Sequence, residues 1–195
     1  MTPESTRRRV PAAQRRAMLI DEAASMLAEV GYHRLSLTEL AAVFGMTRPG
    51  VTHHVGSKAA LLLEVLTLRD RRGFAAMRAV LHQQPRDLRA ALDAQVRTNI
   101  EEPELVRLYT ILCVEALEPS HPASAYFRSR WEEGVQEMTA LLVDVREDAR
   151  AAAERIYSFL DGLQINWLRD PSIDMWAQWS AFADDLGLPS SPRHS

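Results

Sequence analysis

Residues 47–58 hold the densest set of groups able to read the surface of another molecule. Arg48 offers a planar fork of donors that suits either the O6 and N7 acceptors of a guanine edge or a phosphate. Thr47, Thr52 and His53 add short hydrogen-bonding groups within two helical turns of it. Pro49 presents only apolar surface, and Gly50 lets the backbone come close. His54 is either a phosphate contact or a packing residue. Lys58 is the only lysine in the chain. It follows Ser57 at a helix start, where free amides and the helix dipole already favour an anion. Ser36 and Thr38 hold the same kind of position one element earlier, as phosphate anchors or as caps alone.

Other chemistries find less support. His53 and His54 are adjacent, so on a helix they point about 100° apart, and no cysteine or carboxylate lies at ligand spacing. No metal or cofactor is expected. Cys113 is the single cysteine, so no disulfide can form within the chain; it reads as a small core hydrophobe. No serine or cysteine has a base near it in sequence, and no glycine-rich phosphate loop occurs. An enzyme is not expected.

Charge is distributed unevenly. Net charge is −3 over 195 residues. Residues 1–58 carry eight bases, among them Arg7, Arg8, Arg9, Arg15 and Arg16, against five acids, which leaves −6 for the rest. A basic head on an acidic body attracts phosphate at one end only. The N-terminus lacks the apolar stretch of a signal peptide, and no run is long enough to span a membrane. A cytoplasmic protein is expected.

The elements that must position these groups are helices. Periodicity predicts an all-α chain of about nine helices, near 12–30, 36–44, 47–55, 57–82, 86–100, 103–118, 122–144, 147–168 and 172–187. Gly31 and Gly45 stop the first two. Ser36-Leu37-Thr38-Glu39 has the pattern of a capping box. Thr47 and Ser57 cap the next two helices, with Pro49 in a first turn where its missing N–H costs nothing. Small Ala41, then Gly45, then aliphatic Val51 is the spacing of a helix-turn-helix.

With those residues in view, Leu37–Leu63 resembles the DNA-binding head of the TetR (tetracycline-repressor-like) family. Gly45-Met46-Thr47 stands for the family's Gly-Val-Ser, His54-Val55 for His-Phe, and Ser57-Lys58 for Ser/Asn-Lys. Glu115-Ala116, His121-Pro122 and Asp161–Pro171 resemble the choline-regulator-like C-terminal class of the family. The resemblance implies a dimer that binds palindromic double-stranded operator DNA and answers to a small-molecule effector. Phosphate binding by Lys58 is part of that implication. Thr52 departs from the pattern, which has tyrosine there, so that contact is lost or replaced.

The expected organisation is a helix-turn-helix domain at 1–57 with a flexible basic arm at 1–10, a ligand-binding and dimerisation domain at 58–188, and a disordered tail at 189–195. The body's aromatic, methionine and polar residues are either core or pocket lining. Those proposed for a pocket are Phe74, Met77, Tyr109, Cys113, Glu115, Tyr126, Phe127, Trp131, Phe159 and Trp167. Glu115 is either a polar anchor there or a structural charge paired with Arg128 or Arg130. Apolar stripes on the last two helices assign a homodimer face to Ala152, Ile156, Phe159, Leu160, Leu163, Ile173, Trp176, Trp179 and Ala183. The effector is expected to be apolar or amphipathic and to release a repressor from its operator. The competing reading is a helical interaction protein that does not read DNA sequence.

Overall fold

The structure, a computed structural model, describes residues 11–188. The arm bearing Arg7, Arg8 and Arg9 and the tail 189–195 lie outside the described residues. Ten helices and no strand are present among those described: α1 (Ala12–Arg34), α2 (Leu37–Val43), α3 (Arg48–Val55), α4 (Lys58–Gly73), α5 (Ala75–Gln83), α6 (Leu88–Glu101), α7 (Pro103–Glu115), α8 (Ser124–Leu142), α9 (Ala149–Arg169) and α10 (Met175–Asp185).

The tenth helix comes from a break inside the span expected to run from 57 to 82. Gly73, a weak helix former, is followed by Phe74 at φ −97°, ψ 3°, which both ends α4 and begins α5. The bend lets α4 and α5 approach one interior space from different directions. A second interruption lies at Gly31, whose φ of 73° is non-helical within α1. The chain resumes one further turn there, to Arg34.

Two apolar cores form. The first joins Leu19, Ala23 and Leu27 of α1, Leu40 of α2, Val51 of α3 and Leu62 of α4 to Leu108 and Leu112 of α7. It therefore runs from the head into the body without a gap. The second joins Leu92 and Val96 of α6, Val135 of α8, Ala152 and Ile156 of α9, and Trp179 and Ala183 of α10. Each buried aliphatic side chain contributes about 1.5–3 kcal/mol.

The second core corrects the dimer assignment. Ala152, Ile156, Trp179 and Ala183 are each 0% exposed inside a single chain, and Leu160 and Leu163 are buried with them. The four at 0% have no surface left for a partner. Trp179 donates its indole N–H to Asp93 at 2.7 Å. Asp93 and Asp184 both accept from the buried Arg89, at 2.9 and 2.8 Å. Phe159, Ile173 and Trp176 are only half-buried. Phe159 stacks flat on Phe182 between α9 and α10, centroids 3.9 Å apart.

Candidate nucleic-acid interface and internal cavity

Local rules build the head. The Ser36 hydroxyl accepts from the Glu39 amide at 3.3 Å, Thr47 from Gly50 at 3.3 Å, and Ser57 from Ala60 at 3.0 Å. Each satisfies a helix-end amide that would otherwise lack a partner. Between α2 and α3, Gly45 takes φ 60° and the Met46 amide closes back onto Ala41 O at 2.8 Å. Val51 and Val55 pin the inner side of α3, at 0% and 3% exposed. The outer side is then determined: Thr47, Arg48, Pro49, Thr52 and His53 are exposed, and Gly50 half so. Thr38 at the start of α2 is exposed and Ser36 half-buried.

Several basic or polar groups of this face have defined partners. The Thr52 hydroxyl donates to Arg48 O at 3.0 Å, so its proton is already committed and its methyl and lone pairs remain. His53 and His54 meet edge to face, with ring centroids 5.6 Å apart. The Arg16 Nε donates to His54 O at 3.1 Å and the same guanidinium pairs with Glu64, which ties α1 to α3 and α4. Lys58 donates one of its N–H groups to His33 O at 3.2 Å, and its ammonium stands 4.5 Å from the Tyr32 ring centroid. Burial lowers its pKa, and Glu115 opposes that.

Glu115 does not line the cavity bounded by α4–α9 and pairs with neither Arg128 nor Arg130. Its Oε2 accepts the Tyr32 amide at 2.7 Å, and His121 Nε2 stands 3.9 Å from the same oxygen. A Cβ on Gly31 would fall on the Glu115 carboxylate. Gly31 is thus required for its positive φ and for the space it leaves. Glu115 joins the end of α7 to the interrupted end of α1.

The body holds a partly open cavity of about 340 Å³ bounded by α4–α9. Its apolar wall includes Phe74, Met77, Leu88, Leu92, Met138 and Leu160. Its polar wall includes Arg69, Asp70, Tyr109, Arg130, Asp161 and Gln164, with Arg78, Glu133 and Glu137 on its exposed side. Asp70 accepts from Arg69 at 3.1 Å, from Arg130 Nε at 3.1 Å and from the Tyr126 hydroxyl. Arg130 also donates to the Tyr109 hydroxyl at 2.9 Å. The Tyr109 ring lies 4.3 Å from one guanidinium and 4.5 Å from the other. Burial raises the Tyr109 and Tyr126 pKa values, so both phenols stay protonated donors. Burial also lowers the Arg69 pKa, and the like charge of Arg130 adds to that.

Of the residues proposed for a pocket, the structure brings Phe74, Met77 and Tyr109 to this cavity. The rest lie elsewhere. Cys113 and Tyr126 pack on the first core and Phe127 is part of it. Trp131 is 40% exposed. Phe159 and Trp167 pack on the second core. The residues that sequence reasoning missed are mostly polar. Tyr157, Leu160, Asp161 and Gln164 follow the i, i+3, i+4, i+7 spacing of one helix face. Polar side chains recurring on an apolar stripe were the available signal. Among the described residues no cluster of three or more His, Cys, Asp or Glu could hold a metal, and no helix is long and apolar enough to cross a membrane.

Residues 19–65 match the sequence model of a family described as bacterial regulatory proteins, tetR family. No curated protein matches the chain by sequence. Among solved structures, the chain is similar to a TetR-like transcriptional regulator from Rhodococcus sp. RHA1, at 18% identity and TM-score 0.73 over 92% of this chain and 97% of that one. It is similar to NalD, the secondary repressor of the MexAB-OprM multidrug efflux pump in Pseudomonas aeruginosa, at 20% identity and TM-score 0.67 over 91% and 96%. PfmR, a TetR family transcriptional regulator from Thermus thermophilus, is similar at 23% identity and TM-score 0.64 over 90% and 99%. At these identities the likeness establishes the fold, while the head stands on its own sequence match.

Proposed function

We propose that this chain, which carries the DNA-binding head of the tetR family at residues 19–65, is a dimeric repressor that a small molecule releases from its operator. The observation that carries the DNA reading is the split of α3. Val51 and Val55 hold it to the core while Arg48, Pro49, Thr52 and His53 stand clear on the other side. A helix so presented fits the major groove, with Arg48 as base reader. Ser36, Thr38, His54 and Lys58 flank it as backbone contacts.

Two such helices need two protomers and a roughly palindromic site. The pairing face is the outer side of α9 and α10, where the Phe159–Phe182 stack is half-exposed and a Cβ on Gly162 would meet nothing within 4 Å. The effector site is the cavity bounded by α4–α9. Its Arg69 and Asp70 sit on α4, the same helix whose first residue, Lys58, borders the DNA face. An effector that prefers one setting of α4 shifts the protein toward it, and operator DNA weakens effector binding by the same factor.

A gel shift with DNA flanking the protein's own gene, at stated salt, tests the reading. Retention of one sequence over competitor DNA is expected. Equal retention of all sequences, or none, would favour the helical interaction protein. That outcome is the alternative suggested by Thr52, whose hydroxyl proton is held by its own helix.

A further inference from the structure

The cavity walls change character along their length. Helix α6 lines it with Leu88 and Leu92 first, then with Gln95 and Asn99. Leu88 and Asn99 are 11 residues apart, about 16 Å along a helix axis. Helix α8 passes from Arg130, Glu133 and Glu137 to Met138 and Leu141. An occupant therefore meets a polar end and an apolar end.

The polar end is balanced in charge. Arg69 and Arg130 share Asp70, and Asp161 faces the same two guanidiniums from α9. Burial pushes the Asp161 carboxyl up and the two arginines pull it down. Among the shielded charges two cations meet two carboxylates; Arg78, Glu133 and Glu137 also line the cavity but are exposed to solvent, which screens them. A further carboxylate or ammonium at this end would find no unpaired counter-charge among the shielded groups.

The groups left without a partner are mostly acceptors. Gln95 is 6% exposed and Gln164 7%, and the Oε1 of each makes no hydrogen bond. The Gln95 orientation follows from its Nε2, which donates to Asn99 Oδ1 at 2.9 Å. Asp161 lines the same polar end, facing Arg69 and Arg130. Among the fully shielded atoms of the lining, the two glutamine acceptors stand against one donor, the Nε of Arg69. Buried polar atoms without partners are rare in native proteins, and three of the five among the described residues line this cavity.

We infer that the cavity takes an uncharged amphiphile whose head donates hydrogen bonds, as a primary amide or hydroxyl does, to Gln95, Gln164 and Asp161, with an aliphatic tail against Leu88, Leu92 and Met138. This deepens the reading of the cavity as the effector site and rests on it.

The test titrates the full chain, without DNA, by calorimetry with probes of one chain length: octanamide, N,N-dimethyloctanamide, octanoate and octyltrimethylammonium. Octanamide should bind about tenfold or more tighter than each of the others. A preference for either charged probe overturns the inference. Equal binding of the two amides overturns it as well, because only one of them donates, and so does a failure of all four to bind. In Gln164→Leu the ratio between the two amides should fall toward one. Since that variant can fail to fold, Asp161→Asn provides the second arm. It leaves two guanidiniums with Asp70 alone, and octanoate affinity should rise about tenfold; an unchanged affinity contradicts the charge balance. Operator release is scored separately. If octanoate binds and frees the DNA, the regulator reading stands and this inference falls. If octanamide binds to a protein that holds no operator, the reverse holds.

Discussion

The backbone N–H of Tyr32 donates to the side chain of Glu115 at 2.7 Å, across 83 residues of chain. That bond joins the end of the first helix to the end of α7 in the body. Around it His121 meets the Tyr32 ring edge to face at 4.8 Å, and the Lys58 ammonium stands 4.5 Å from the same ring. Any change in the setting of α7 is felt at this point.

Gly31→Ala should destabilise the fold by about 1–3 kcal/mol, since it puts a Cβ at positive φ and into the Glu115 carboxylate. Glu115→Ala should cost a similar amount, about 1–3 kcal/mol, by leaving the Tyr32 amide without its acceptor. Urea denaturation of both variants checks this. Loss of stability in neither would mean that the junction is slack.

Acid should loosen the same junction. Burial holds His121 below its ordinary value of 6.5; Glu115 raises it and His33 lowers it. The unfolded chain gains a proton at the ordinary value and the folded chain only at lower pH. Stability from this group is therefore complete above about pH 6.5 and declines as pH falls below it. Its Nδ1 accepts from the Ala123 amide at 3.2 Å, which also favours the neutral ring. The drop in urea midpoint between about pH 7.5 and about pH 5.5 should be smaller in His121→Leu than in the parent.

Arg48 and Lys58 should separate by function. Arg48→Ala should cost about 1–3 kcal/mol on the specific site and relax preference at one base pair. The exposed Arg48 side chain makes no bond within the chain among the described residues, so thermal stability should hold. Lys58→Ala should weaken all sequences alike and lower the salt slope by about one. It should also lower stability, because its bond to His33 O is lost. Identical specificity profiles for the two variants would refute the division.

The proposed pairing face can be told from the core by charge. Phe159→Arg, on a half-exposed residue, should give a folded monomer in sedimentation. Ile156→Arg, three residues away and 0% exposed, should unfold the chain. A folded dimer in Phe159→Arg would move the interface elsewhere.

The Tyr157 hydroxyl occupies the space above Gly134, where a Cβ would stand. Gly134→Ala should displace that ring into the cavity and cost about 1–3 kcal/mol by overpacking. A thermal melt together with probe affinity reports both effects. Unaltered affinity would show that Tyr157 is not a wall of the site.

The head was legible from sequence because its rules are local. Ser36, Thr47 and Ser57 cap the amides three residues on, and Gly45 turns the chain at a positive φ that side chains disfavour. Val51 and Val55, four apart, decide which side of α3 faces in and so which side is free. None of this depends on distant partners. The body was legible only as helices. An apolar stripe such as Ala152–Ile156–Leu163 says that a face is covered, not whether the same chain or a second one covers it; in the structure α10 and α6 cover it from within. Glu115 looked equally suited to a pocket or an ion pair, because a carboxylate in an apolar run needs a donor and many donors are within reach of a folded chain. Tertiary packing chose a backbone amide 83 residues away. The cavity follows the same logic. Arg69, Gln95, Arg130, Asp161 and Gln164 come from four different helices, and only their convergence makes buried polar atoms into a site.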